Sequence, residues 1–170
     1  MSTNESVLAP FGWDEINQFY GDIRKYITED GAISPKWEME KLIFVDLPFD
    51  PLPLGWETEP GVISHVSRIR CHRRIAWPLW RALDKIREDG LRKELKTFDG
   101  GFNFRRQRGA KKLSMHAFGA AFDFNADRNQ LGEVPMMHHG IVEAFEGCGF
   151  TWGGRWDRPD GMHFQFGSGY

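Results

Sequence analysis

The chain has 170 residues, with 22 Lys and Arg set against 24 Asp and Glu for a formal net charge of -2. That balance argues against nucleic acid as the main partner, because a phosphate backbone is met by an excess of Lys and Arg. The length fits one globular domain that buries about 68–70% of its unfolded surface and leaves no room for a second full domain.

Cys71 and Cys148 lie far apart and outside CxxC spacing, which excludes a disulfide framework and a thiolate zinc site. Both are read as free, buried thiols. Seven Trp and fourteen Phe are assigned mainly to the core. The first residues lack a basic segment followed by an apolar one, and no apolar run approaches the roughly 18 residues that span a bilayer. The expectation is a soluble monomer made in the cytoplasm, without stable membrane insertion.

From Phe11, the apolar positions Ile16, Phe19, Ile23 and Ile27 predict an amphipathic helix ending before Gly31. Leu42 to Leu47 (LIFVDL) reads as a strand, and the prolines 48, 51 and 53 make the next stretch an irregular loop reaching about Gly61. Ser64 to Asp89 carries Ile69, Ile75, Leu79, Leu83 and Ile86 at helical intervals, with Pro78 predicting a kink or two shorter helices and Gly90 a C-cap. His65 and His72 would sit two turns apart on that helix as structural residues. Thr97 to Arg105 is strand-like, and its paired glycines predict a bulge or a close backbone approach.

The chemistry gathers further on. In Ser114 to Asn125 (SMHAFGAAFDFN) a period of two puts Ala120, Phe122 and Phe124 on one face and Gly119, Ala121, Asp123 and Asn125 on the other. In Gly161 to Phe166 (GMHFQF), Met162, Phe164 and Phe166 oppose His163 and Gln165. If the two strands pair, His163 shares a polar face with Asp123, and a loop at the strand entrance can bring His116 to the same opening. A His, Asp, His set suits zinc with one position left for water. Asp160, three residues before His163, stands where a general base belongs, and Arg105 or Arg108 could hold a substrate carboxylate or a developing oxyanion.

On these residues the chain resembles the zinc D-alanyl-D-alanine carboxypeptidase and L-alanyl-D-glutamate endopeptidase family, whose fold is shared with the Hedgehog signalling domain and vancomycin-resistance dipeptidases. The SxHxxGxAxD motif appears as Ser114, His116, Gly119, Ala121 and Asp123. The Trp-rich loop with DxxH appears as TWGGRWDRPDGMHFQF, Thr151 to Phe166. Weaker likeness lies in GGFNFRRQRG (100–109), the FGW start and the CHRRIA stretch.

The resemblance implies Zn2+ held by His116, Asp123 and His163, Asp160 as catalytic base, Arg105 on the substrate carbonyl and Ser114 orienting substrate. Asp160 replaces the Glu usual in the carboxypeptidases, which favours an endopeptidase. Trp152 and Trp156 are read as cleft residues that bind substrate, together with Arg108.

The expected fold is α+β, a small antiparallel sheet carrying the zinc site and flanked by helices. It is one peptidase domain over residues 1–170, with a helical scaffold over 11–96 and a zinc-site core over 97–166. The expected activity is hydrolysis of an amide in the peptidoglycan stem peptide, first as an L-alanyl-D-glutamate endopeptidase of the phage endolysin kind, released to the cell wall through a holin pore. The competing readings are a D-alanyl-D-alanine carboxypeptidase and a non-catalytic zinc-stabilised binding module. His138 and His139, ahead of a short helical pattern over Ile141 to Gly147, are read as exposed residues outside the site.

Overall fold

A computed structural model describes residues 7–106 and 112–170. The first helix, α1 (Gly12–Tyr20), carries Asp14 and Glu15 in its first turn, where acidic groups complement the helix dipole. It is shorter than the periodicity predicts. Gly21, at φ 89°, takes the chain out of the helix, and the Asp22 carboxylate then accepts from the Arg24 N–H to start a separate 3₁₀ turn over Ile23–Tyr26. Ile16, Tyr20 and Ile23 are all buried, so one apolar stripe runs across two elements.

The next helix, α2 (Pro35–Lys41), buries Trp37 and begins with Ser34 accepting from the Lys36 N–H and Pro35 at the first position, where a missing N–H costs nothing. It leads into β1 (Leu42–Asp46). The loop expected after β1 contains a short pair, β2 (Leu52–Pro53) with β3 (His65–Val66).

Residues 64–75 correct the helical expectation. Arg68–His72 forms β4, antiparallel to β1, with Ile69 and Cys71 buried, Arg68 exposed and Arg70 half-buried. Its alternation of period two, rather than Ile69 at helical spacing, decides the backbone. His65 and His72 therefore sit on two strands. The helix α3 (Ala76–Glu88) starts only after a 3₁₀ turn, so Pro78 falls in its first turn and kinks nothing. Asp89 caps its end and Gly90 follows at φ 70°.

The main sheet is built from β5 (Phe98–Gly100), β6 (Ala121–Phe124), β7 (Thr151–Trp152) and β8 (His163–Gln165), ordered β5-β6-β8-β7 with antiparallel neighbours. Of the strand-like stretch expected over 97–105 only Phe98–Gly100 is strand, and its register shifts between Phe98 and Gly100, the first of the paired glycines. Helix α4 (His139–Glu146) opens with the His138 ring accepting from the Gly140 N–H and packs against α3 and β7. This mixture of four α-helices with small antiparallel sheets among the described residues is the predicted α+β class.

Phe122, Phe124, Phe164 and Phe166 are fully buried, and the Phe145 ring of α4 stacks on Phe164 at 4.4 Å. Burying each such ring contributes about 1.5–3 kcal/mol, which pins β6 and β8 in register. Met162 departs from the expectation, being half-buried and lining a cavity instead of the core. Cys71 is buried as expected, but Cys148 is only half-buried; both are free.

Candidate metal centre

His116 reaches the sheet from a 3₁₀ turn over Met115–Phe118, opened by the Ser114 hydroxyl accepting from the His116 N–H at 3.3 Å. The turn closes at Gly119, whose φ of +66° is left-handed and whose carbonyl accepts from the His72 N–H at 2.8 Å. A Cβ there would stand 2.7 Å from the Leu42 side chain and 3.1 Å from the His72 nitrogen, so glycine is required twice over.

Asp123 and His163 are Cα partners on β6 and β8. Asp123 Oδ1 lies 2.9 Å from His163 Nδ1, and Oδ2 lies 3.2 Å from His116 Nε2. One ligand atom from each of the three residues falls within 4.8 Å of the others. The remaining ring nitrogens are turned away, His116 Nδ1 to the Gly101 carbonyl at 2.8 Å and His163 Nε2 to Gln165 Oε1 at 3.0 Å.

This donor set fits a divalent ion. His116 Nε2 is buried and makes no hydrogen bond among the described residues, although Asp123 Oδ2 is near. A buried polar atom without a partner is costly and asks for an occupant. Ligand atoms bonded tetrahedrally at about 2.0–2.1 Å stand about 3.3 Å apart, and the two histidines approach the two Asp123 oxygens to 3.2 and 2.9 Å.

Burial opposes charge on Asp123, yet the His116 and His163 imidazoles, 3.2 and 2.9 Å from its two oxygens, hold its carboxyl well below the usual range. Burial likewise lowers the His163 imidazole, but its bond to Asp123 outweighs this and raises it. The site is an anionic carboxylate clasped by two imidazoles.

Two cavities meet at Asp123. One, of about 470 Å³, is lined by Arg105, Ser114, Trp156, Asp160 and His163 among others. The second, of about 510 Å³, is lined by Trp56, Asp99, Phe102, Arg105, Arg106 and His116. Asp160 is half-buried just before β8; its N–H donates to the Gly153 carbonyl at 2.9 Å and its carbonyl accepts from the His163 N–H at 3.2 Å. A Cβ on Gly153 would approach the Asp160 backbone oxygen to 2.7 Å, so Gly153 lets the Trp-rich loop bring Asp160 up to the start of β8.

Arg105 borders both cavities. Trp156 is 39% exposed, with its ring 5.4 Å from that of His163. Trp152 lines neither cavity. Its indole N–H donates to the Gly161 carbonyl at 2.8 Å and the Arg155 guanidinium lies over its ring, so it braces the loop rather than facing the cleft. Ser114 lines the first cavity with its hydroxyl engaged in the cap. Arg108 lies outside the described residues.

His138 and His139 are exposed at the start of α4, His139 paired with Glu143, and stand apart from the cluster. Sequence reasoning missed Trp56, Asp99, Arg158 and Tyr170 as cavity residues. Trp56 and Asp99 meet through the Leu54 to Phe98 bridge, a long-range contact that no local pattern announces.

Residues 108–166 match the family model described as D-alanyl-D-alanine carboxypeptidase. No curated protein and no solved structure matches the chain. The matched stretch contains His116, Asp123, Asp160 and His163, and it makes the chain a peptidase similar over that stretch to a family in which zinc dependence is typical.

Proposed function

Taking a peptidase with a His, Asp, His donor set as premise, we propose that it holds zinc through His116 Nε2, the Asp123 carboxylate and His163 Nδ1 and cuts the L-alanyl-D-glutamate bond of the peptidoglycan stem peptide. The observation that carries the endopeptidase reading is the pair of cavities, which share Arg105 and Asp123. An endopeptidase must seat substrate on both sides of the scissile bond, whereas a carboxypeptidase closes one side around a terminal carboxylate. Asp160, in place of the carboxypeptidases' Glu, supports the same reading and the proposed endolysin-like branch.

When bound, zinc supplies Lewis acidity, polarising the scissile carbonyl and making an attacking water more acidic. Asp160 takes the proton of that water and returns it to the leaving amine. Arg105 donates to the carbonyl oxygen as negative charge gathers there. Trp156, beside His163, shields one side from bulk water and packs against the peptide. The proposal treats the whole chain as one peptidase domain acting as a monomer. In its support, the buried cluster runs from Ile16 to Phe166. No described helix is long and apolar enough to cross a membrane.

The family description itself names a D-alanyl-D-alanine carboxypeptidase, which keeps that activity as the second reading. End-group analysis of purified peptidoglycan after digestion separates the two. New N-terminal glutamate supports the endopeptidase, and release of D-alanine without it supports the carboxypeptidase.

A further inference from the structure

Gln165 follows His163 by two residues on β8, opposite Ala121 of β6 and Thr151 of β7, and is 4% exposed. A primary amide in so dry a position must spend its donors and acceptor on protein partners. Its Nε2 donates to the Gly167 carbonyl at 2.7 Å. That bond fixes which end of the amide is which, because a carbonyl accepts only from N–H. Oε1 is thereby left toward His163 Nε2 at 3.0 Å, and the Tyr170 hydroxyl adds a longer bond to the same oxygen at 3.4 Å.

An amide oxygen facing a ring nitrogen requires a proton on that nitrogen. With Nε2 committed to donating to Gln165, Nδ1, which donates to Asp123 Oδ1 when protonated, is the nitrogen left to offer a lone pair to an ion at the cluster. The Gly101 carbonyl sets the other histidine in the mirrored sense, engaging His116 Nδ1 and leaving Nε2 for the ion.

We propose that Gln165 is a positioning residue for the metal centre: it locks the His163 ring and keeps its proton on Nε2, so that Nδ1 is presented to the ion. The inference rests on the reading of His116, Asp123 and His163 as a metal centre. Gln165 borders the first cavity, and the role proposed for it is exerted through His163. Of the two groups that orient the histidines, it is the side chain, so substitution can remove it while the Gly101 carbonyl stays.

The test measures zinc affinity of the metal-free protein by competition with a chromophoric chelator, together with thermal unfolding without metal and nitrogen-15 spectra of histidine in the zinc-loaded protein. Gln165→Leu keeps most of the volume and removes the acceptor; zinc affinity is expected to fall roughly 10–100-fold with the metal-free protein still folded. Gln165→Glu restores an acceptor for Nε2 while losing the donor to the Gly167 carbonyl, and is expected to recover part of the affinity. In the wild type, His163 is expected to show a protonated Nε2 and a metal-bound Nδ1.

Unchanged affinity in folded Gln165→Leu, or no recovery in Gln165→Glu, overturns the proposal. So does a wild-type spectrum with His163 bound through Nε2, which needs no variant and decides the matter if Gln165→Leu does not fold. A wild type that binds no zinc would instead overturn the metal-centre reading beneath it.

Discussion

Asp123 and His163 face each other across adjacent antiparallel strands, with the carboxylate Oδ1 2.9 Å from the imidazole Nδ1. The pair is set by backbone register, and a slip of one residue would send one of them to the opposite face. The stacked Phe145 and Phe164 rings guard that register from the core side. Asp123→Asn keeps the shape but removes the anion between two imidazoles. It is expected to weaken zinc binding by more than roughly 100-fold, beyond the loss typical of an outer-shell partner, and to abolish hydrolysis. Equilibrium dialysis with zinc checks the first expectation directly.

Asp160 and Arg105 are expected to act on the rate rather than on the metal. Asp160→Asn should lower kcat by about 10²–10⁴-fold with zinc content unchanged, and Arg105→Met by about 10²–10³-fold. Metal analysis of each purified variant beside its steady-state kinetics separates the two effects. Lysis at the wild-type rate by zinc-loaded Asp160→Asn would remove Asp160 from the mechanism.

The cleft should be felt on both sides of Asp123. Trp156→Ala and Trp56→Ala open the rims of different cavities. Each is expected to reduce kcat/KM on a full stem peptide by roughly tenfold, the cost of one anchoring aromatic contact. If Trp56→Ala changes nothing while Trp156→Ala does, substrate lies on one side only, as a carboxypeptidase requires.

His72 gives the fold a pH dependence of its own. It is 2% exposed, its Nε2 lies 3.2 Å from the Tyr20 carbonyl, and its Nδ1 accepts from the Arg74 N–H. The neutral form protonated at Nε2 satisfies both contacts, whereas a second proton would oppose the Arg74 N–H. Burial, with Lys41, Arg74 and Arg73 nearby, pushes its pKa down to about 4. The unfolded chain takes up this proton near pH 6.5 and the folded one near 4. Stability is therefore full above about 6.5 and falls through that window by on the order of 3 kcal/mol. Urea unfolding at several pH values measures it. His72→Asn should be less stable at neutral pH yet lose less on acidification, and equal slopes would contradict this account.

Gly119→Ala tests the turn that delivers His116. Left-handed backbone and the close Leu42 and His72 atoms together should cost at least about 2 kcal/mol, read as a lowered urea midpoint.

How much of this is legible in the sequence depends on whether a residue's neighbours are local. Strict alternation in 121–124 and 163–165 announces β6 and β8, and two apolar faces sharing one core bring Asp123 and His163 together. The same reasoning fails at α1, because Ile23 keeps the helical interval although Gly21 has already ended the helix. It fails again at β4, where Ile69 fits a helix as readily as a strand and only pairing with β1 decides. The helix α2 is too short to show apolar periodicity, and its one local signal is the start formed by Ser34 and Pro35. The second cavity is beyond reach, since the bridge from Leu54 to Phe98 brings Trp56 and Asp99 to the site from distant segments.

The most direct test of the central claim is the product analysis of one defined peptide, L-Ala-D-isoglutamyl-diaminopimelyl-D-Ala-D-Ala, incubated with the protein, with a chelator, and after zinc is restored. Release of free L-alanine that stops with the chelator and returns with zinc is the expected result. Cleavage indifferent to the chelator, or loss of the terminal D-alanine with the first bond intact, would contradict it.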